Sequence, residues 1–115
     1  MPRSSGRPGG RPSEVRISPH EWVVKWSHTD VLRFAPDNDA AGVTDHPTLT
    51  IAVNPGKAED YNRHTFMHEI LHACARVADL RLSDDQEEQF VASVTSPLLS
   101  FLRDNPEALS YLLAE

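Results

Sequence analysis

A chain of 115 residues with a net charge of -6 is long enough for one small domain, and its acidity argues against nucleic-acid binding by the folded part. Its one cysteine excludes an internal disulfide. No apolar run is long enough for a secretory signal or a membrane span, so we expect no membrane partner and a location in the cytoplasm of the producing or host cell.

The first thirteen residues are expected to form a disordered arm. They consist mainly of Pro, Gly, Ser and Arg and contain no aliphatic residue after Met1, so they cannot bury enough surface to offset the entropy of ordering. Arg3, Arg7 and Arg11 make the arm locally basic, but they are too few to predict contact with nucleic acid. We therefore predict one domain over residues 14–115.

Alternating apolar and polar residues predict the strands. In residues 21–27, Trp22, Val24 and Trp26 alternate with more exposed positions, and residues 48–53 place Leu49, Ile51 and Val53 on one face. A further short strand is expected at residues 31–34. Residues 35–47 are rich in Asp, Asn, Gly and Pro and predict a loop, with Gly42 at a turn.

The second half of the sequence predicts helices. One should begin between residues 58 and 62 and end near Ala78. Ser83 and Gln86 form a capping-box pattern, so another should start at Asp84. Pro97 either kinks that helix or opens a new one, and Pro106 opens a last helix that ends near Ala114.

These elements predict an α+β fold. A small, mostly antiparallel sheet of about three strands would pack on the first long helix, with roughly two or three helices following it.

The first long helix carries the sequence's most informative pattern, His68-Glu69-x-x-His72. Two histidines four residues apart share one helix face about 6 Å from each other, so both imidazoles can bind one ion. Glu69 lies about 100° round the helix, where it can hold and deprotonate a water molecule on that ion rather than bind the ion itself. The pattern therefore predicts a Zn²⁺ site with two ligands and a general base.

Catalytic zinc usually has three protein ligands, so one is still needed. No histidine follows His72, and His64 lies eight residues before it, about 12 Å along the helix axis and too far to share the ion. Candidates therefore come from the acidic start of the next helix. With Phe90, Val91, Val94, Leu98 and Phe101 taken as its buried face, Glu87 falls at the centre of that face and Glu88 about 100° to one side. We predict Glu87 as the third ligand, with Glu88 as the alternative.

Other polar residues near the motif have less defined roles. Cys74 lies two residues beyond His72, about 200° round the helix, and is expected to point away from the ion. Tyr61, His64 and His46 are candidates for stabilising an oxyanion, and the sequence does not rank them.

Four segments carry a resemblance to a known family: residues 48–53, the motif at residues 65–72 (Thr-Phe-Met-His-Glu-Ile-Leu-His), the acidic residues 84–88, and residues 102–106. From about residue 15 to its end, the chain resembles the small zincin-type metallopeptidases encoded by bacteriophages and prophages, distant relatives of the ImmA/IrrE metallopeptidase family.

The resemblance implies a gluzincin arrangement, in which the edge strand of a small sheet lies over the active helix and a glutamate of the next helix completes the site. It implies His68, His72 and Glu87 or Glu88 as ligands, and Glu69 as base. The chain departs from ImmA/IrrE proteins in its shorter C-terminal portion and in the short spacing from His72 to Glu87.

We therefore expect a zinc-dependent peptidase acting on a peptide or protein substrate, which would pair along the edge of residues 48–53. The alternative is a zincin-like metal-binding or interaction protein without peptidase activity. Glu69 favours the enzyme, because a structural site needs ligands but no base. Metal-dependent deformylation would need a cysteine ligand upstream of the helix, and the chain has none.

Overall fold

The computed structural model describes residues 9–37 and 39–115. Over these ranges the chain forms four strands and four helices, in the order β1 (Glu14–Ile17), β2 (His20–Trp26), α1 (His28–Phe34), β3 (Gly42–Asp45), β4 (Thr50–Val53), α2 (Glu59–Val77), α3 (Asp84–Asp104) and α4 (Pro106–Leu113). The architecture is α+β, as the sequence predicts.

The described strands form one mixed sheet with the spatial order β1-β2-β4-β3. The two outer pairs are antiparallel, whereas β2 and β4 at the centre run parallel. The prediction of a small, mostly antiparallel sheet is confirmed for the two outer pairs, but the sheet has four strands rather than about three and its central pair is parallel. Parallel pairing is possible because the connection from β2 to β4 is long enough to cross over, and it contains α1 and β3.

Residues 31–34 are helical rather than extended, because α1 has a cap that the strand prediction overlooked. The Asp30 N–H donates a hydrogen bond to Ser27 Oγ at 3.3 Å. This bond gives a partner to one of the first-turn N–H groups, which have none within the helix. Val31, a β-branched residue that favoured the strand prediction, is completely buried in this helix. The Ser27 cap and the burial of Val31 together outweigh the preference of Val31 for a strand.

Residues 42–45 form a strand where a loop was predicted. Their pairing with β4, from Gly42 opposite Val53 to Asp45 opposite Thr50, places β3 at the edge of the sheet. So short a segment has no apolar run of its own, and the neighbouring strand determines its conformation. The expectation that residues 48–53 offer an open edge is therefore wrong, because β4 has a partner on each side.

The core lies between the sheet and α2. Trp22, Ile51, Val53 and Ala73 are fully buried at its centre. The partly buried residues around them are Val15, Ile17, Trp26, Leu49, Phe66, Ile70 and Val77. The alternation predicted for β2 is confirmed, because Trp22 and Val24 are buried whereas Val23 is 44% exposed.

The helices of the second half begin and end close to where the sequence places them. The capping box of α3 is present: the Gln86 N–H donates to Ser83 Oγ at 3.1 Å, and the Ser83 N–H donates to Gln86 Oε1 at 2.9 Å. Pro97 lies inside α3 and does not start a new helix, whereas Pro106 opens α4 as predicted. Among the described helices, none combines the length and apolar character needed to cross a membrane.

The buried face of α3 differs from the predicted one. Glu87, Val91 and Thr95, each four residues apart, are buried, whereas Phe90 is 48% and Phe101 37% exposed. A helical wheel based on hydrophobicity places Phe90 and Phe101 on the buried face. In the structure, two polar residues occupy the buried row because they have hydrogen-bond partners there: Thr95 Oγ1 donates to the Val91 carbonyl at 2.6 Å, and Glu87 accepts from a histidine.

The predicted arm over residues 1–13 extends too far toward the domain. Residues 1–8 lie outside the described residues, but Arg11 to Ser13 contact the folded part. Trp26 Nε1 donates to the Pro12 carbonyl at 2.7 Å, and the Val24 N–H donates to the Ser13 carbonyl at 2.9 Å. Arg11 pairs with Glu59 at 2.7 Å and lies over the Trp26 ring. The boundary of the domain is therefore earlier than residue 14.

Candidate metal centre

Helices α2 and α3 place the predicted site residues opposite one another. Their side-chain contacts occur in reversed order along the chain, Arg76 with Asp84, His72 with Glu88 and His64 with Ser96, so the helices are antiparallel. The α2 residues of these pairs and His68 are spaced by four, which puts them in one row along the helix.

The first turns of α3 bring one carboxylate against both motif histidines. Glu88 Oε1 lies 3.0 Å from His68 Nε2, and Glu88 Oε2 lies 2.8 Å from His72 Nε2. One ligand atom from each of these three residues lies within 4.8 Å of the other two. Four-coordinate zinc, with bonds of about 2.0–2.2 Å, places its nitrogen and oxygen ligands about 3.4 Å apart. The three residues therefore fit a zinc ion after small side-chain adjustments.

Glu87, which the sequence ranked first as third ligand, lies on the other side of His72. Its Oε2 accepts from His72 Nδ1 at 2.6 Å, and its Oε1 lies 3.5 Å from Arg76 Nε. Only 9% of the Glu87 side chain is exposed, against 55% for Glu88. The geometry therefore favours Glu88 as the third ligand.

The sequence favoured Glu87 because a carboxylate at the centre of a buried face needs a partner; in the structure that partner is His72 Nδ1. A ligand to a catalytic ion must reach the open side of the site, where substrate and water enter, whereas the group behind a ligating histidine is enclosed by protein. Adjacent residues about 100° apart on α3 lie on the two sides of the His72 ring. Both glutamates therefore contact the site, each in a different role.

His72 is surrounded by negative charge. Burial disfavours its charged form, but the hydrogen bonds to Glu87 and Glu88 and the nearby Glu69 outweigh this effect and raise the pKa of the His72 imidazole. Both ring nitrogens face carboxylates, an arrangement that suits the imidazolium when no ion is bound. With an ion at Nε2, the Nδ1–H can still donate to Glu87, which fixes the tautomer.

Glu69 is enclosed beside the two histidines, with 6% of its surface exposed. Burial raises the pKa of its carboxyl, while a hydrogen bond from Thr44 and the nearby His68 and His72 oppose that rise. The Thr44 hydroxyl lies 2.8 Å from Glu69 Oε1 and 3.0 Å from the Glu69 carbonyl oxygen. This contact fixes the carboxylate at the point where β3 meets α2.

The sequence reasoning missed Thr44 and the role of Gly42, because both lie in the segment taken for a loop. A Cβ atom at Gly42 would lie 2.8 Å from Thr65 Cγ2 and 3.1 Å from Glu69 Cγ. Glycine therefore permits β3 to approach α2 closely enough for Thr44 to reach Glu69. The one available signal was the Gly-x-Thr spacing, which becomes meaningful only once β3 is identified.

A cleft of about 720 Å³ opens over these residues. Residues 42–44 of β3 and residues 40–41 before it form one wall. Facing side chains of α2 and α3 form the rest, including His68, Glu69, His72, Glu87 and Glu88. The size is that of a typical ligand site.

The three candidates for stabilising an oxyanion lie in different surroundings. Tyr61 and His64 line the cleft, whereas His46 stacks on the Trp22 ring at 5.8 Å between ring centroids and does not line it. Cys74 is half-buried outside the cleft lining, and burial raises the pKa of its thiol. This agrees with the expectation that Cys74 points away from the site.

Comparison of the chain with protein-family models, with curated proteins and with solved structures gives no match.

Proposed function

We propose that this chain is a zinc-dependent metallopeptidase with a minimal zincin-like fold, which hydrolyses peptide bonds with Glu69 as general base. One observation carries the proposal. The Nε2 atoms of His68 and His72 lie 3.0 and 2.8 Å from the two carboxylate oxygens of Glu88, beside the buried Glu69. A structural zinc site would need the ligands but not Glu69.

His68, His72 and Glu88 would hold the ion, and Glu87 would orient His72 through its Nδ1–H. Arg76, 3.5 Å from the Glu87 carboxylate, offsets part of the negative charge of that group. Zinc bound there would supply a Lewis acid, which would lower the pKa of water and polarise a carbonyl group.

Glu69 takes the proton from the attacking water and passes it to the amine that leaves. Its burial favours this role, because a carboxylate with a raised pKa accepts a proton more readily near neutral pH. The Thr44 hydrogen bond holds one oxygen of the carboxylate, which leaves the other for the water.

The edge strand β3 provides a place for the substrate backbone. The Ala41 carbonyl accepts from the Asn54 N–H at 2.8 Å, so by the alternation of an antiparallel ladder the backbone groups of Gly42 and Thr44 point away from β4. An extended peptide can pair with them and pass over the site. This geometry, with the motif helix and the glutamates of α3, supports the resemblance to the phage-encoded zincin-type metallopeptidases.

The experiment compares zinc-loaded wild-type protein with Glu69→Gln, using a mixture of fluorescence-quenched peptides as substrate. Glutamine keeps the size of the side chain but cannot accept the proton, so we expect zinc content to be retained and cleavage to fall by about a hundredfold or more. Cleavage by Glu69→Gln at the wild-type rate would exclude Glu69 as base. Zinc binding with no cleavage of any peptide would favour the metal-binding protein without peptidase activity.

A further inference from the structure

His64 and Ser96 form a polar pair at one end of the cleft. His64 lies one turn before His68 in the same row of α2, and it lines the same cleft. Its Nε2 lies 2.8 Å from Ser96 Oγ across the gap between α2 and α3. The proposed mechanism leaves this pair without a role.

The Ser96 contact differs from those of its neighbours. Ser93 Oγ donates to the Gln89 carbonyl at 2.7 Å, and Thr95 Oγ1 donates to the Val91 carbonyl at 2.6 Å, which is the usual arrangement for hydroxyls inside a helix. Ser96 Oγ is directed across to α2 and fixes the orientation of the His64 ring.

The pair keeps a hydrogen-bond donor in either tautomer. A neutral imidazole carries one N–H and a serine one O–H, and their mutual bond uses only one of these hydrogens. If Ser96 donates to Nε2, the ring N–H is at Nδ1; if Nε2–H donates to Ser96, the serine O–H is free. In the first case the free donor is the Nδ1–H of His64, which lines the cleft; in the second it is the hydroxyl of Ser96 beside it.

His64 is better placed than the other two candidates. It precedes His68 by four residues, about 6 Å along the axis, whereas Tyr61 precedes it by seven, about 10.5 Å. Tyr61 is 52% exposed and Lys57 Nζ lies 5.7 Å from its ring centroid, while His46 is stacked on Trp22.

Space for a ligand lies beside the pair. Ala92, on α3 between Glu88 and Ser96, lines the cleft with a single methyl group. A larger side chain there would fill the gap between the His64–Ser96 pair and the three proposed zinc ligands.

We propose that the His64–Ser96 pair binds the carbonyl oxygen of the substrate peptide group and stabilises the negative charge that this oxygen gains during hydrolysis. His64 contacts the substrate, and Ser96 is a positioning residue. This inference rests on the proposed peptidase function. It assigns the oxyanion group that the sequence left open, and it places the substrate between β3 and the row of α2.

The test uses two probes on zinc-loaded protein, measured by calorimetry. N-phosphoryl-leucyl-alanine has a tetrahedral group with charged oxygens, whereas acetohydroxamate binds zinc through its own two oxygens. We expect His64→Ala to weaken binding of the phosphoryl dipeptide by about tenfold or more and Ser96→Ala to weaken it less, because a hydrogen bond to a charged oxygen is lost. His64→Gln, which keeps a donor, should restore part of the affinity.

Several controls separate this role from a structural one. Zinc content, melting temperature and acetohydroxamate affinity should stay at wild-type values in His64→Ala. Ser93→Ala, which removes a hydroxyl of α3 that donates to the Gln89 carbonyl outside the cleft, should bind both probes normally. Unchanged affinity of His64→Ala for the phosphoryl dipeptide, or no binding of it to zinc-loaded wild type, would overturn the inference alone. Failure of the wild type to bind zinc would overturn the proposed function as well.

Discussion

Glu87 and Glu88 are neighbours in the sequence and make different contacts in the structure. Glu88 reaches the Nε2 atoms of both motif histidines from the open side, and Glu87 receives the Nδ1–H of His72 from the enclosed side. The second contact matters because an imidazole that donates at Nδ1 has its lone pair at Nε2, where the ion would bind.

Substitution of each acid separates these roles. We expect Glu87→Gln to weaken zinc binding by about 10–100-fold, since it removes the charged acceptor behind His72, and Glu88→Gln to weaken it more. Asp85→Asn is the matched control, because Asp85 lies in the same acidic turn, is exposed and carries the same charge. Competition with a chromophoric zinc chelator measures all three affinities. A larger loss in Glu87→Gln than in Glu88→Gln would return the ligand role to Glu87.

The motif residues could be assigned from sequence because their geometry is local. Four residues on a helix fix the spacing of His68 and His72 without reference to the rest of the fold. The choice between Glu87 and Glu88 could not be made in this way. It depends on how α3 is rotated against α2, and that rotation follows from the whole interface, including the buried Thr95.

Among the elements, β3 determines whether the site can form. This strand places the Thr44 hydroxyl against the Glu69 carboxylate. It also forms one edge of the sheet, and that edge lies beside the cleft. Its close approach to α2 depends on Gly42, where a Cβ atom would also lie 3.1 Å from the Ala52 carbonyl oxygen.

Gly42→Ala should therefore destabilise the fold by about 1–3 kcal/mol, because the added methyl group overpacks the junction of β3 and α2. Gly56→Ala is the control, since its Cβ would meet only Asn54 Oδ1, at 3.2 Å, in an exposed turn. We expect the control to change stability by less than about 1 kcal/mol. Urea denaturation measures both, and equal midpoints for the two variants would show that β3 tolerates a side chain at residue 42.

Helices α2, α3 and α4 were predictable from their own segments. Helix α2 lies in a run without Gly or Pro, α3 begins at the Ser83 capping box, and Pro106 opens α4. Strand β3 and helix α1 were not. Strand β3 is short and depends on its pairing with β4. Helix α1 is also short; its local signal, the Ser27 cap, was overlooked because Val31 favours a strand.

The domain includes residues 11–13, the end of a segment whose composition predicts disorder. A segment of Arg, Pro and Ser contributes little apolar surface, but its backbone carbonyls can still accept hydrogen bonds from Val24 and Trp26. The composition of a segment indicates how much apolar surface it can bury, but it does not indicate which hydrogen bonds its backbone carbonyls accept.

Deletion of residues 1–13 should therefore lower the melting temperature by at least about 4 °C, because it removes acceptors for the Val24 N–H and for Trp26 Nε1. Deletion of residues 1–8 alone keeps Arg11, Pro12 and Ser13 and is the matched control. Scanning calorimetry measures the melting temperatures of both proteins. Equal melting temperatures would mean that the docked segment adds nothing to stability.

The proposed function requires that His68, His72 and Glu88 bind one zinc ion. Elemental analysis of wild-type protein purified without added metal, repeated after dialysis against excess zinc, tests it most directly. We expect about one zinc per chain in the wild type and almost none in His68→Ala or His72→Ala, because two remaining ligands hold zinc poorly. Folded wild-type protein that retains no zinc after loading, with a melting temperature unchanged by the metal, would contradict the account.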